Sequence, residues 1–223
     1  MKRQTQHPSD GVAEPLRAAT RTSSPHLCPE ISLRLAPAGL SLDAFRLAHP
    51  DICGAAPPYW AVAWPGGQGA ARYVLDHAAL VAGRRVVDFG AGSGLLAIAA
   101  AMAGAAHVRA LDRDPVATAV CALNARMNAV FIEAETVNIT TTETADADIV
   151  LAGDLWYERM DARQATRLLR SLAGSGIAVL IGDVGRSELP RSGIDWLASY
   201  RLPADEGLER SAVVETRVGW LAP

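Results

Sequence analysis

The segment from Val86 to Gly94 constrains the fold of this chain more than any other, because a short apolar strand runs directly into a glycine-rich turn. The turn has the pattern Gly-Ala-Gly-Ser-Gly, and the apolar run that follows, residues 95–102, predicts a helix. A strand, a glycine turn and a helix in this order are typical of a βαβ unit, in which the backbone can approach a nucleotide-like ligand. The next apolar strand ends at Asp112, where a carboxylate can accept hydrogen bonds from ribose hydroxyls. The segment therefore predicts a nucleoside cofactor.

Helix-like and strand-like stretches alternate along the rest of the chain. This alternation predicts an α/β fold: a Rossmann-like seven-strand sheet, mostly parallel with an antiparallel terminal hairpin, and helices on both faces. The predicted strands are 85–89, 106–111, 130–137, 148–153, 177–182, 199–202 and 212–220. The predicted helices are 66–81, 95–102, 115–127, 161–173 and 191–198. The hairpin is expected to turn at the polar loop 203–211.

Length and composition favour one folded domain. The chain has 223 residues, of which 50% are apolar, so a single core is possible and two domains would each be small. Residues 1–27 are polar and lack apolar periodicity, so we expect a disordered N-terminal leader followed by a single domain at 28–223. A net charge of −3 gives no basic surface for nucleic acid, and no run of roughly 18 apolar residues predicts a membrane span.

The cysteines and the leader bear on the compartment. The three cysteines are widely spaced, without a partner spacing typical of a metal site, so we expect free thiols and no bound metal. The leader has no secretory signal, and Asp10 and Glu14 interrupt what would otherwise resemble a mitochondrial transit peptide. We therefore expect a cytoplasmic monomer, or a protein of the mitochondrial matrix if the chain is eukaryotic.

The spacing of the glycines indicates which cofactor is bound. Dinucleotide folds use Gly-x-Gly-x-x-Gly to seat a pyrophosphate, whereas here the third glycine comes one residue early. Asp88 stands two residues before the first glycine, where it would repel a pyrophosphate but suit a cationic sulfonium and amino group. The pattern resembles the first motif of class I S-adenosylmethionine-dependent methyltransferases. That resemblance implies that S-adenosyl-L-methionine is the cofactor.

A second cluster, Ala152 to Glu158, follows the fourth predicted strand with the sequence Ala-Gly-Asp-Leu-Trp-Tyr-Glu. Ligands of open α/β sheets bind beyond the carboxyl ends of the strands, so this cluster should face the same crevice as the glycine turn. Asp154 is suited to accepting a proton or holding an ammonium, and the two aromatic rings could line a channel for an alkylamine. Alternatively, Trp156 and Tyr157 simply cap the sheet.

A third cluster, residues 57–68, holds Tyr59, Trp60 and Trp64 between prolines and a Gly-Gly pair. By itself it predicts a segment packed on the sheet edge. Together with Asp-x-x-Tyr at Asp154 and Tyr157 and with the sequence Ile-Gly-Asp-Val-Gly-Arg at 181–186, it resembles the protein-lysine methyltransferases of the seven-strand class. Within that class the chain is most similar to the electron-transfer flavoprotein β-subunit lysine methyltransferases, from about residue 57 to residue 220.

The resemblance implies roles for individual residues of this chain. Cofactor binding is implied for Trp64, Asp88, Gly90, Gly92, Asp112, Asn138, Ile139, Gly153 and Asp154. Catalysis is implied for Asp154 and Tyr157, and substrate binding for Trp156, Tyr157, Glu158 and Arg186. The chain departs from the family pattern at Val184, where a proline is expected, and at Trp156, where a phenylalanine is expected.

The implied reaction is methylation of a lysine in a protein substrate, the electron-transfer flavoprotein β subunit. Three alternatives remain open: another protein such as a ribosomal protein, a small molecule, or a module that binds the cofactor without turning it over, since a fold does not fix a substrate. A nucleic-acid substrate is disfavoured, because Gly-Asp-Leu-Trp-Tyr stands where base-modifying enzymes carry Asn-Pro-Pro-Tyr.

Overall fold

The computed structural model describes residues 10–138, 146–204 and 212–223. Its helices are α1 (Asp10–Ala19), α2 (Leu42–Ala48), α3 (Pro50–Cys53), α4 (Pro65–Asp76), α5 (Leu95–Met102), α6 (Pro115–Met127) and α7 (Arg159–Gly174). Its strands are β1 (Arg21–Ser23), β2 (Leu33–Leu35), β3 (Arg85–Phe89), β4 (His107–Asp112), β5 (Glu133–Thr136), β6 (Ile149–Gly153), β7 (Ala178–Asp183), β8 (Ile194–Pro203) and β9 (Val213–Leu221). Short 3₁₀ turns cover Tyr59–Ala61 and Ala78–Leu80.

A seven-stranded sheet with the order β5-β4-β3-β6-β7-β9-β8 forms the centre of the fold. Five neighbouring strands of the sheet, β5, β4, β3, β6 and β7, are parallel, and β9 runs antiparallel to both β7 and β8. The central strands are buried over most of their length, β3 from Val86 to Phe89 and β6 from Ile149 to Ala152, because both of their faces are covered. The predicted α/β class, strand number and terminal hairpin are confirmed.

Alternate residues of the central strands enter separate apolar clusters on the two faces of the sheet. Val86 packs in a cluster with residues of α4, α5 and α6, whereas Val87 packs in a cluster with residues of α7. This separation follows from the two-residue period of a strand. Because β3, β4, β6 and β7 are parallel, their carboxyl ends lie at one edge of the sheet.

The predicted helix at 191–198 is wrong. Residues 194–203 form the long strand β8, which pairs with β9 from Ile194 to Pro203. Its side chains alternate between partly buried and exposed over most of its length, which is the two-residue pattern of an edge strand packed on one face. The turn between β8 and β9 falls mostly on residues 205–211, outside the described residues.

The prediction of a disordered leader over 1–27 does not hold for residues 10–27. Helix α1 buries Leu16 and Ala19 in a small cluster with Phe45, Trp60 and Val120, and β1 pairs with β2. Val12, Leu16 and Ala19 recur at helical spacing, but this short pattern stands in a polar segment and contains Pro15, so it was overlooked. Residues 1–9 lie outside the described part of the chain.

Two asparagines, Asn124 in α6 and Asn128 at its C-cap, bind the N-terminal region to the rest of the domain. The Ser32 amide donates to the Asn128 Oδ1, at 2.9 Å, and the Arg34 amide donates to the Asn124 Oδ1, at 2.8 Å.

The three cysteines are unpaired thiols, as expected. Within the ranges described above, no helix is both long and apolar enough to cross a membrane.

Candidate active site

The glycine turn lies between the end of β3 and the start of α5. Gly90, Gly92 and Gly94 all have positive φ, at 75°, 52° and 82°, which glycine adopts without the steric cost of a Cβ. The amides of Gly90 and Ala91 both donate to the Leu111 carbonyl, at 2.9 and 3.0 Å. At Gly94 a Cβ would lie 2.6 Å from the Cys121 sulfur, so this glycine permits close packing of α5 against α6. The turn is thus held tightly on β4.

A cavity of about 410 Å³ opens at this edge of the sheet. Its walls come from the aromatic segment, the glycine turn, the ends of β4 and β6, and the loop after β7. It brings together most of the predicted site residues: Trp64, Gly90, Gly92, Asp112, Gly153, Asp154, Tyr157, Glu158 and Arg186. The two sequence clusters therefore share one cavity, as the topology predicts.

Asp112 is positioned by two backbone amides. Its Oδ2 accepts from the Gly92 amide and its Oδ1 from the Asp114 amide, each at 2.9 Å. Burial raises the pKa of Asp112, and these two hydrogen bonds oppose the rise. Because each carboxylate oxygen has two acceptor sites, both oxygens keep capacity to accept from ligand hydroxyls.

Asp88 lies beneath the turn rather than on the cavity wall described above. Its side chain is 1% exposed, and its Oδ2 accepts from the Ala97 amide in the first turn of α5, at 2.9 Å. Burial raises the pKa of Asp88 to about 7, and the nearby charge of Asp112 adds to the rise. The sequence interpretation that Asp88 contacts the cofactor directly is therefore corrected: its observed contact is with the helix that follows the turn.

Asp154 occupies a left-handed conformation directly after β6. Its φ of 55° is uncommon for a residue with a side chain. The Asp154 Oδ2 accepts from the Gly67 amide at 2.7 Å, and its Oδ1 accepts from the Arg186 guanidinium. Burial raises the pKa of Asp154 to about 6, while the charge of Arg186 opposes the rise. The predicted catalytic carboxylate thus also caps the start of α4.

Gly153 and Gly182 allow α4 to sit directly on the ends of β6 and β7. A Cβ at Gly182 would lie 2.1 Å from the Gly66 carbonyl oxygen, and a Cβ at Gly153 would lie 2.7 Å from the Gly67 Cα. Neither contact can be relieved by a side-chain rotation, since both involve backbone atoms. Gly153 lines the cavity as predicted, and it also has this packing role.

Arg186 joins two buried carboxylates. Its Nη1 donates to the Asp154 Oδ1 and lies 3.3 Å from the Asp183 Oδ2. Asp183 is fully buried, and its Oδ1 accepts from the amides of Gly185 and Arg186 at 2.7 and 2.8 Å. The Arg186 guanidinium also lies 5.9 Å from the centre of the Trp64 ring. The residue predicted to bind substrate is thus engaged with the protein's own carboxylates.

Three aromatic rings surround the mouth of the cavity. The Tyr59 and Tyr157 ring centres are 4.6 Å apart, and those of Tyr59 and Trp64 are 6.1 Å apart. The Trp64 indole N–H donates to the Tyr59 carbonyl at 2.8 Å, which fixes the orientation of the ring. The Tyr59 hydroxyl lies 3.5 Å from Glu158 Oε1. Partial burial raises the pKa of Tyr157 to about 12, so its hydroxyl stays protonated near neutral pH.

Sequence reasoning did not assign Tyr59 or Arg113 to the site. Both line the cavity, and the Arg113 Nη2 lies 3.9 Å from Glu158 Oε2. The position of Tyr59 beside Trp64 in the aromatic segment was an available signal. Arg113 directly follows Asp112, but the sequence does not show whether its side chain points towards the cavity.

Trp156 does not line the cavity described here, which corrects its assignment to the substrate. It is 1% exposed and packs among the apolar residues between the sheet and α7. Its indole N–H donates to the Thr166 hydroxyl at 2.9 Å. The alternative interpretation, in which this tryptophan caps the sheet, is the one that the structure supports.

The predicted adenine-flanking pair is only partly described. Asn138 lies two residues beyond β5, at the same edge of the sheet as Asp112. Ile139 lies outside the described residues. The assignment of both to the adenine stays a prediction.

The cavity fits S-adenosylmethionine in shape and charge. A Cβ at Gly92 would meet only the Trp60 Cα, at 3.8 Å, so a side chain there would enter space that a ligand can fill. The cavity is lined by four carboxyl groups, those of Asp112, Asp114, Asp154 and Glu158, and by two guanidinium groups, those of Arg113 and Arg186. The excess negative charge suits a cationic sulfonium. Among the described residues, no group of His, Cys, Asp or Glu has the arrangement of a metal site.

We expect S-adenosylmethionine to raise the melting temperature of the protein and NAD to leave it unchanged. The short glycine spacing and the acidic walls favour a sulfonium over a pyrophosphate, and a ligand that binds only the native state stabilises it. A thermal-shift titration with both compounds measures the difference. Stabilisation by NAD alone would contradict the cofactor assignment.

Comparison with known proteins places this cavity among methyltransferases. The family "Ribosomal protein L11 methyltransferase (PrmA)" matches residues 73–156, which include the glycine turn, Asp112 and Asp154. The electron transfer flavoprotein beta subunit lysine methyltransferase of Mus musculus is 37% identical over 203 residues, covering 86% of this chain and 78% of that protein. Its counterpart in Danio rerio is 37% identical over 202 residues, covering 86% and 77%.

A solved structure of the same fold supports the topology. The Pyrococcus abyssi tRNA (uracil-54, C5)-methyltransferase, in complex with S-adenosyl-L-homocysteine, superposes with a TM-score of 0.51 at 16% identity. The match covers 68% of this chain and 38% of that chain. At this identity the likeness concerns the fold alone.

Proposed function

The chain belongs to the electron transfer flavoprotein beta subunit lysine methyltransferase family, and we propose from this membership that it transfers a methyl group from S-adenosylmethionine to a lysine side chain of a protein. The observation that carries the proposal is a single cavity that contains both the glycine turn with Asp112 and the aromatic mouth with Tyr157. A nucleoside cofactor can bind at one end while an alkylamine enters at the other.

The residues at the two ends have different tasks. Gly90, Gly92 and Asp112 would hold the cofactor, with the Asp112 carboxylate accepting from the ribose hydroxyls. Tyr59, Trp64 and Tyr157 would surround the lysine side chain, because aromatic faces favour an alkylammonium. When bound, S-adenosylmethionine supplies a methyl group on a sulfonium and leaves as a neutral thioether.

The lysine must lose a proton before it can attack. Its ammonium has an ordinary pKa of about 10.4, and only the neutral amine carries a lone pair. We propose that Asp154 orients the amine and that the proton passes to water, with much of the rate coming from alignment of the two reacting groups. The new C–N bond then forms as the C–S bond breaks.

Transfer of a labelled methyl group into a cell lysate tests this function. We expect one labelled protein band whose label survives nuclease treatment. A labelled small molecule would favour the alternative substrate class, and no label at all would favour a module that binds the cofactor without turning it over. The same lysate without the added protein is the control for methyl transfer by other enzymes.

We propose the electron-transfer flavoprotein β subunit as the protein substrate, because the curated members of the family are named for it. The match to the ribosomal protein L11 methyltransferases covers residues 73–156, the part that holds the glycine turn and Asp112. This part binds the cofactor, so the match does not favour a ribosomal substrate.

We also propose that the protein acts as a monomer in the cytoplasm, or in the matrix if it is mitochondrial.

Replacing Asp112 by alanine should weaken cofactor binding by about 1–3 kcal/mol, because ribose hydroxyls would lose their acceptor. The loss of two backbone hydrogen bonds, from Gly92 and Asp114, adds to the effect by loosening the turn. Calorimetric titration with S-adenosylhomocysteine measures the change. An unchanged dissociation constant would remove Asp112 from the site.

A further inference from the structure

The loop after β7 places a cation against the carboxylate that the proposed mechanism uses. The Arg186 guanidinium contacts the Asp154 Oδ1 directly and lies 3.3 Å from the Asp183 Oδ2. Its side chain is 17% exposed, and those of Asp154 and Asp183 are 6% and 0% exposed. Water therefore screens this cluster poorly.

Such a cluster changes what Asp154 does to a neighbouring amine. A lone buried carboxylate holds a nearby ammonium in its charged form, which cannot attack a methyl group. A cation close to the amine has the opposite effect and favours the neutral form, as for lysines activated by a cationic neighbour. Since Arg186 lies on the same cavity as Asp154 and Tyr157, both effects act on an amine bound there.

We propose that Arg186 is a positioning residue that neutralises Asp154, so that the substrate lysine can lose its proton inside the cavity. This inference rests on the proposed function. It assigns Arg186 a role through Asp154 rather than in direct binding of substrate. It also explains why a carboxylate can orient the amine without trapping it as an ammonium.

Other charged groups lie in or near the cavity and contribute to the electrostatic potential at a bound amine. Arg217 is opposite Asp183 in the pairing of β7 with β9, but its guanidinium lies over the Trp196 ring, 4.2 Å from the centre. Asp88 lies behind the glycine turn. The remaining titratable residues that line the cavity are Tyr59, Asp112, Arg113, Asp114, Tyr157 and Glu158. None of these is bonded to Asp154, so the proposed variants change the local charge at one cluster.

The test is the pH dependence of kcat with the purified electron-transfer flavoprotein β subunit as substrate. The rate should rise with pH as the bound amine loses its proton. In Arg186→Gln the midpoint of this rise should move up by about one pH unit, because one positive charge near the amine is lost. The KM for the protein substrate should stay at the wild-type value or fall, because the cavity becomes more negative. Arg186→Lys keeps the charge and should restore the wild-type midpoint.

Asp183→Asn supplies a change of the opposite sign. It removes one negative charge while its Oδ1 can still accept from the amides of Gly185 and Arg186. The midpoint should therefore move to lower pH. If Arg186→Gln does not fold, as judged by circular dichroism, Asp183→Asn and Arg186→Lys decide the question.

Midpoints that stay at the wild-type pH in the folded variants would overturn the proposal and leave Arg186 a structural role. The same conclusion follows if Arg186→Lys shifts as far as Arg186→Gln. Failure of the proposed function looks different, because the wild-type enzyme would then transfer no methyl group to lysine at any pH.

Discussion

An Asp154→Asn variant should lose methyl transfer by about 10²-fold or more while binding S-adenosylhomocysteine nearly as well as the wild type, since misplacement of a reacting group by about 1 Å can cost that much. The loss is expected because the carboxylate orients the amine for attack. Asparagine keeps an oxygen that can accept from the Gly67 amide, so the start of α4 should stay capped. The carboxylate charge beside the lysine is lost. Initial rates with a protein substrate and calorimetry with the product cofactor measure the two effects separately.

Asp148→Asn is a matched control. Asp148 also lies next to β6, but at the opposite edge of the sheet, where it pairs with Arg85 at 2.9 Å. This pair is exposed, so the substitution should leave the rate and the affinity unchanged. Retention of more than half the activity in Asp154→Asn would remove this residue from the mechanism.

Gly66→Ala should destabilise the protein by about 3 kcal/mol or more, at the upper end of the usual cost of an overpacked interior. A Cβ at this position would lie 2.4 Å from the Gly182 carbonyl oxygen and 2.6 Å from the Asp154 Oδ2. The carbonyl belongs to β7 in the middle of the sheet, so it cannot move away without disturbing the strand. Urea unfolding monitored by circular dichroism gives the free energy of unfolding.

Gly67→Ala tests whether the effect is steric rather than a general intolerance of alanine in this turn. A Cβ at Gly67 would come no closer than 4.0 Å to any neighbouring atom, the nearest being the Asp154 Oδ2. Alanine also has a higher helix propensity than glycine, by up to about 1 kcal/mol. The substitution should thus be neutral or stabilising. Equal losses for the two variants would contradict the close packing of α4 on β7.

The central part of the fold could be predicted because its signals are local. The strand, glycine turn and helix at residues 86–102 specify one another through backbone conformation, and continuous apolar strands indicate a sheet covered on both faces. The first half of β8 was mistaken for a helix at 191–198, whereas the predicted strand at 199–202 lies within its second half. Helix α1 was missed because its apolar positions are few and Pro15 lies among them.

Topology was enough to place the residues of the site at one edge of the sheet. It was not enough to predict which way each side chain points. Trp156 and Tyr157 are neighbours in the sequence, yet one ring is buried against α7 and the other lines the cavity. Asp88 is the last residue but one of β3 and Asp112 is the last residue of β4, yet only Asp112 lines the cavity described. The pairing of Arg186 with Asp154 joins two loops 32 residues apart and has no local signal.

Mass spectrometry of the purified electron-transfer flavoprotein β subunit, after incubation with this protein and S-adenosylmethionine, tests the central claim most directly. The account predicts whole methyl units on lysine side chains, absent when Asp154→Asn replaces the wild-type enzyme. Methyl groups found on lysines of another protein alone would keep the reaction and discard this substrate. A methylated small molecule, with no modified lysine in any protein, would contradict the assignment as a protein-lysine methyltransferase.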